Sequence, residues 1–238
     1  KLVGYGKASI LDDTHIRYYK FRDRTVARDV QMSFRFSKGS RQSFVEDIVF
    51  TIDADNRIEC LAFGLADEAF RDIASNTVWS DLTKMSVVEF LENYKTAYSL
   101  KRLDYLQSIF DDNAVIIVGH VAYKKPSADS DDISYNDNKV VTRTRVSKEK
   151  YMQSLASCFA SNEFVNIRFT SNDVRKYNTG GETYGIQIKQ DYYSTNYGDT
   201  GYLFLMVDLN NPDLPVIKVR TWQENSVPMN ELITTSDF

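Results

Sequence analysis

His120 is the residue best placed to do chemistry in this chain, because it ends the run Ala114 to His120, directly after Gly119. Imidazole is the side chain best suited to proton transfer near neutral pH. A catalytic histidine needs an orienting partner, and no local spacing supplies one, so a surface or hydrogen-bonded structural histidine fits the same position. The segment Asp191-Tyr192-Tyr193-Ser194-Thr195-Asn196-Tyr197 carries flat amphipathic rings that could form a ligand rim. It could equally be a hairpin whose tyrosines cover a sheet edge. Between Arg17 and Arg41 the basic residues Arg17, Lys20, Arg22, Arg24, Arg28, Arg35, Lys38 and Arg41 outnumber Asp23 and Asp29, with aromatics interleaved. Such a face would suit single-stranded nucleic acid or an anionic glycan. A solvated strand face is the competing reading, and the acidic balance of the whole chain favours it. The loop Asp129-Ser130-Asp131-Asp132 has the look of an acidic metal loop, but Ile133 stands at its fifth position and the glycine is missing, so no calcium site is expected. There is no Cys/His set with zinc spacing, no Gly-rich phosphate loop and no Gly-x-Ser-x-Gly elbow. Neither a metal nor a cofactor is implied.

Composition bounds the rest. The 238 residues are 42% hydrophobic and 13% aromatic, enough for a packed core in one large domain or two smaller ones. A net charge of -4 disfavours nonspecific attraction to nucleic acid or anionic membrane. Cys60 lies in a strand pattern and Cys158 in a helix pattern, so two buried free thiols are expected rather than a disulfide framework. No apolar run approaches the roughly 18 residues that span a bilayer. The chain opens Lys1-Leu2-Val3 without a methionine, from which removal of an N-terminal portion is expected.

The elements that must position these groups are organised around Met85 to Val121. Val88, Leu91, Tyr94 or Lys95, and Tyr98 recur at helical spacing, Leu103, Leu106, Ile109 and Phe110 do so again, and Ala114 to Val118 is β-branched and continuous. That spacing predicts helix, tight bend, short helix, strand. Before it, His15 to Phe21, the alternation Val30, Met32, Phe34, Phe36, the run with Ile48, Phe50 and Ile52, and Arg57 to Phe63 predict an antiparallel meander, the last two strands joined by the turn Asp53 to Asn56. A helix over Asp67 to Ser75 follows. After it, Lys124 to Lys139 reads as a loop, Ser147 as the N-cap of a helix carrying Tyr151, Leu155 and Phe159, and five strand-like segments run from Phe164 to Gln223. Helices followed by a long antiparallel meander predict an α+β fold with a curved sheet.

The order helix, helix, strand, helix, strands, with FLENYKTAYSLKRLDYLQSIFDDNAVIIVG and GYLFLMVDLNNPDLPVIKVRTWQ, resembles the nuclear transport factor 2-like superfamily, the cystatin-like cone that includes SnoaL-like domains. The resemblance covers roughly Thr77 to Glu224. More narrowly the chain is similar to an uncharacterised group of Bacteroidales proteins, often exported, in which this domain is one part of a longer chain. It implies a cone, helices packed on the concave face of the sheet, over residues 77–225, preceded by the β-meander of residues 1–76 and followed by a tail over 226–238. VFTIDADNRIECLAFGL is similar to the closing strands of such a domain, so the meander reads as a degenerate half-repeat.

The resemblance implies a cavity between helices and concave sheet. Strict alternation assigns Ile186, Ile188, Gln190, Leu203, Leu205, Val207, Ile217, Val219 and Thr221 to that face. None offers a carboxylate or imidazole for general base work, and Asp191 and Asp208 fall on the opposite parity unless a bulge shifts the register. The ligand-contact candidates are therefore Tyr94, Tyr98, His120, Gln190 and Tyr192. The other face carries Tyr202, Phe204 and Met206 with Val216, Lys218, Arg220 and Trp222 beside them, and a strand apolar on both sides should be covered on both. Cover by the meander or by a second subunit is expected, with Tyr202, Phe204, Met206, Arg220 and Trp222 as interface residues. The implied function is a non-catalytic binding or assembly module of a longer, exported bacterial protein, periplasmic or at the cell surface. A small ligand would occupy the cone, or a protein partner or second copy would meet the sheet. The alternative is an isomerase or dehydratase with His120 as base and Tyr98 or Tyr94 as hydrogen-bond donor.

Overall fold

The computed structural model describes residues 6–11, 15–38, 43–123, 139–177 and 181–238, with backbone alone for 120–123 and 139–141. The architecture is α+β. Strands β1 (Lys7–Ile10), β2 (Arg17–Phe21), β3 (Arg24–Arg35), β4 (Ser43–Ile52) and β5 (Ile58–Phe63) form a first sheet. Helices α1 (Asp67–Ala74), α2 (Asp81–Ser99) and α3 (Leu103–Ile109) lead to β6 (Phe110–Tyr123) and β7 (Lys139–Val146). Helix α4 (Lys148–Ser161) then precedes β8 (Val165–Lys176), β9 (Thr183–Ser194), β10 (Tyr197–Asp208) and β11 (Val216–Glu224). The second sheet has the order β7-β6-β11-β10-β9-β8. Its pairings are antiparallel except β6 with β11, which is parallel, since a helix and the whole meander intervene and no hairpin ties the two together.

Local chemistry sets the helix starts. Ser80 accepts a hydrogen bond from the Thr83 amide at 3.1 Å, and Ser147 does the same for Lys150 at 3.2 Å. The β4–β5 turn is held by Asp53, whose Oδ1 accepts from the amides of Asp55 (2.9 Å) and Arg57 (2.8 Å) while Asn56 takes φ 60°. Residues 7–10 form a strand paired with β3, and β8 is one strand with a bulge between Phe169 and Ser171, so the five segments expected from Phe164 to Gln223 are four strands. Cys60 is exposed on the edge strand β5 and Cys158 is half-buried, both as free thiols, so the expected burial of Cys60 is corrected.

Helix α2 is enclosed on almost every side. Val88, Leu91, Tyr94 and Tyr98 belong to the main core beneath the second sheet. Its other side meets the first sheet through polar groups: Arg28 on β3 makes a two-point ion pair with Glu92 (2.5 and 2.9 Å), and Lys95 donates to Glu46 on β4 (2.8 Å) and to the Gly64 carbonyl (2.7 Å). A helix with one apolar face and one face of paired charges can be buried twice over, provided each charge keeps its partner. The first sheet completes its own core around Phe34, Phe44 and Phe63, closed by Phe164 at the start of β8. Much of the basic run is likewise paired, Arg17 with Asp29 and Asp67, Arg22 with Asp213, Arg24 with Glu59.

The outer face of the second sheet is covered in two places, by the meander, which meets it at Phe164, Asn166 and Tyr193, and by the C-terminal tail. Phe204, Met206 and Val219 form a small cluster with Ile233. The Phe238 ring stacks on Phe204 with centroids 6.1 Å apart, the Ile233 amide donates to Gln223 Oε1 at 2.6 Å, and the Thr235 methyl occupies the space over Gly185 that a Cβ would need. The C-terminal tail therefore caps the part of that face around Phe204 and Gly185, and the expected cover by the meander holds at the end carrying Phe164 and Tyr193.

Candidate functional site

The site is set by a fault in β11. Met206 pairs with Val219 while Val207 pairs with Ile217, so Lys218 is an extra residue in the strand. A β-bulge of this kind flips the side-chain parity of everything beyond it. Ile217 stays in the main core with Leu203, Leu205 and Val207, Val219 turns to the outer cluster, and Arg220 and Trp222 come opposite Leu205 and Leu203. Alternation had assigned Arg220 and Trp222 outward and Val219 and Thr221 inward. All four are corrected, and Arg220 and Trp222 now line the cone.

Between α2, α4 and the concave sheet lies a cavity of about 230 Å³, lined by Tyr94, Tyr98, Val118, Gly119, Tyr151, Leu155, Ile167, Gln190, Tyr192, Tyr197, Asp199, Arg220 and Trp222. Four of the five expected ligand contacts, Tyr94, Tyr98, Gln190 and Tyr192, are thus brought together. The fifth, His120, pairs through its backbone with Thr142, and its side chain lies outside the described residues. The Asp129–Asp132 loop also lies outside them. Tyr151, Asp199, Arg220 and Trp222 were not among the ligand contacts predicted. Their one sequence signal is an arginine inside the apolar run of β11, V-I-K-V-R-T-W, a charge that must find a reason to be there.

The polar floor is a set of converging donors. The Tyr94 hydroxyl donates to Tyr98 Oη at 3.1 Å, and Tyr98 and Tyr151 share a hydrogen bond of 2.5 Å. Arg220 donates to the Ile117 carbonyl at 3.3 Å, lies 5.1 Å over the Tyr151 ring and lines the cavity beside Tyr94. Burial pushes the phenols of Tyr94 and Tyr98 well above their ordinary value, so they stay protonated across the physiological range. Burial would lower the Arg220 guanidinium, but the surrounding phenols outweigh it and hold it above its ordinary value.

The rim is aromatic. Tyr192 shares a hydrogen bond with Cys158 Sγ at 3.2 Å and lies 6.1 Å from Tyr197, whose hydroxyl donates to Asp199 at 3.0 Å. Tyr193, the next residue in β9, points the other way and packs on Phe44 of the first sheet at 6.1 Å. The tyrosine segment is therefore split between cavity rim and inter-sheet packing. Trp222 sits against two glycines. A Cβ at Gly119 would come within 2.2 Å of its ring, and one at Gly201 within 2.8 Å of the ring and 2.5 Å of the Gln223 carbonyl.

No family model matches the chain, and no curated protein matches it significantly in sequence. Solved structures do. A chain described as the beta subunit of an aromatic-ring-hydroxylating dioxygenase from Novosphingobium aromaticivorans is 14% identical, with 63% of this chain and 94% of that chain covered and a TM-score of 0.41. Bd1075 from Bdellovibrio bacteriovorus is 10% identical over 90% of this chain and 94% of its own, TM-score 0.46. A chain of naphthalene 1,2-dioxygenase, crystallised with indole in its active site, is 10% identical over 71% and 92%, TM-score 0.43. Likeness at this level carries nothing about ligand or reaction.

Proposed function

We propose that this protein is a small-molecule binding module that acts through its cone, as a non-catalytic part of a longer, exported bacterial protein. The observation that carries the reading is the cavity of about 230 Å³ itself, walled by aromatic rings and floored by hydrogen-bond donors. Binding sites have this composition: apolar and aromatic walls with a few placed polar groups. Its volume lies below the roughly 300–1,000 Å³ of drug-sized sites, so the ligand is small. Among the described lining residues the only carboxylate is Asp199, at the rim and engaged by Tyr197, while the hydroxyls of the floor are phenols held protonated. Phenols and a guanidinium suit binding and orientation rather than proton abstraction, which an isomerase or dehydratase would need, and the imidazole of His120 lies outside the described residues.

The test is a thermal-shift screen of small fragments against the wild-type protein and Leu155→Phe, which fills the cavity without touching its polar groups. Fragments at about 100 times their Kd should add about 2.7 kcal/mol to the wild-type protein and raise its Tm by several degrees, with little effect on the variant. A set in which no fragment stabilises the wild-type protein, or in which Leu155→Phe responds equally, removes the cone as the binding site. Export is tested separately, by fractionating the host cell with an antibody to this chain. Recovery only in the cytoplasm ends that part of the reading.

A further inference from the structure

Among the described residues, Arg28 and Lys95 are buried and Arg220 lines the cone, and Arg220 lacks the carboxylate that the other two have. Arg28 is matched by Glu92 at 2.5 Å and Lys95 by Glu46 at 2.8 Å. Arg220 has no carboxylate of the described residues within 4.0 Å. Its protein contacts include a carbonyl at 3.3 Å and the face of the Tyr151 ring, and its Nε is buried with no hydrogen-bond partner. A guanidinium presents its donors in a fixed fork that matches a carboxylate in two-point geometry. A buried charge left without a counter-ion is a standing cost, and a ligand that brings the counter-charge removes it.

We propose that the cone takes a small monocarboxylate with a flat apolar body, its carboxylate anchored on Arg220 at the floor and its body held between Trp222, Tyr192 and the aliphatic wall of Leu155 and Ile167. The proposal rests on the reading of the cone as a binding site and names its ligand class. Four features of the cavity select this class. The phenols at the floor are engaged with one another, whereas the Arg220 guanidinium is donor-only and its Nε has no partner, which suits an acceptor-only head. The walls are rings and aliphatic chains, which suits an apolar body. The volume of about 230 Å³ admits only a small molecule. Asp199 lines the far side of the cavity next to Tyr197, which is 53% exposed, so a second negative group reaching the rim would meet a carboxylate. That excludes dicarboxylates and polyphosphates in favour of one charge.

The experiment uses the intact chain carrying Trp79→Phe, which leaves Trp222 as the only tryptophan. Benzoate and phenylacetate are titrated against their neutral isosteres, benzamide and phenylacetamide, following Trp222 emission and, independently, heat by calorimetry. The expected result is saturable binding of the acids at least tenfold tighter than the amides, with the preference abolished in Arg220→Gln and largely retained in Arg220→Lys. Acids and amides binding alike would overturn the carboxylate assignment while leaving the cone as a binding site. Acid binding that survives Arg220→Gln unchanged, or persists in Leu155→Phe, would overturn it by placing the ligand elsewhere. Failure of all four compounds to bind the folded protein, with a cone empty of density in soaked crystals, would overturn both. The acid-amide comparison on a single folded protein keeps the test independent of whether Arg220→Gln folds.

Discussion

Glu46 shows how single residues hold the two sheets to one another. Its carboxylate accepts from Lys95 on α2 (2.8 Å), Asn166 on β8 (2.7 Å) and Arg168 on β8 (3.1 Å), so one side chain of the first sheet ties a helix and the second sheet together. Burial alone would raise its pKa, but Lys95, Arg168 and Asn166 outweigh burial and hold it below the ordinary 4.5. A carboxyl depressed in the folded state binds fewer protons than in the unfolded state between the two pKa values, so its stabilisation is complete above pH 4.5 and is lost as pH falls through the folded value. Stability measured by urea unfolding should therefore fall on acidification below about pH 4.5. Glu46→Gln should be about 3 kcal/mol less stable at pH 7, because Lys95 is left without its counter-charge, and its slope below pH 4.5 should be shallower. A variant with the wild-type acid slope would remove Glu46 from this role. Glu46 was not singled out in the sequence, although it shares the inward parity of Phe44 and Ile48 along β4, because nothing local shows that α2 arrives with Lys95 opposite it.

At the scale of the element, β11 decides the site. Its one extra residue, Lys218, is half-exposed and paired with Asp111 at 2.7 Å, and its deletion would restore strict alternation along the strand. With Lys218 removed, Ile217 and Val219 become neighbours on opposite faces, so Arg220 and Trp222 keep their places opposite Leu205 and Leu203 without a bulge. Deleting Lys218 should therefore cost about 1 kcal/mol at most and preserve ligand-dependent Trp222 emission, whereas inserting one alanine between Val219 and Arg220 should turn both side chains to the outer cluster, cost about 3 kcal/mol or more and abolish that emission. Lys218→Ala, which keeps the bulge and loses an exposed ion pair, should cost about 1 kcal/mol at most. Equal effects of the deletion and the insertion in urea unfolding would show that the register of β11 is not what positions Arg220. Helix α2 makes the complementary point. Its Tyr94 and Tyr98 lie one turn apart and so had to share a face, which the spacing alone showed, whereas the third phenol, Tyr151, arrives from α4 and joins them only in the folded chain.

At the scale of the molecule, the tail closes the fold on itself. Residues 226–238 supply Leu232, Ile233 and Phe238 to the outer face of the second sheet, where Phe204 is 2% and Met206 7% exposed. Truncation after Asn225 should uncover that face, lower stability by about 3 kcal/mol or more and shift the sedimentation profile toward self-association. A truncated chain that stays monomeric and as stable as the full one would show that the tail covers nothing of consequence. Sequence by itself determined the α+β class, the Ser147 cap of α4, most strand positions and the tyrosine pair on one face of α2, because these depend on periodicity and local hydrogen bonding. Tertiary structure alone decided that the tail covers the sheet, that β6 and β11 run parallel, and that Arg220 lies in the cone. Each of these depends on which strand meets which and in what register, and a one-residue slip, invisible to composition and averaged away by periodicity, reverses every side chain beyond it.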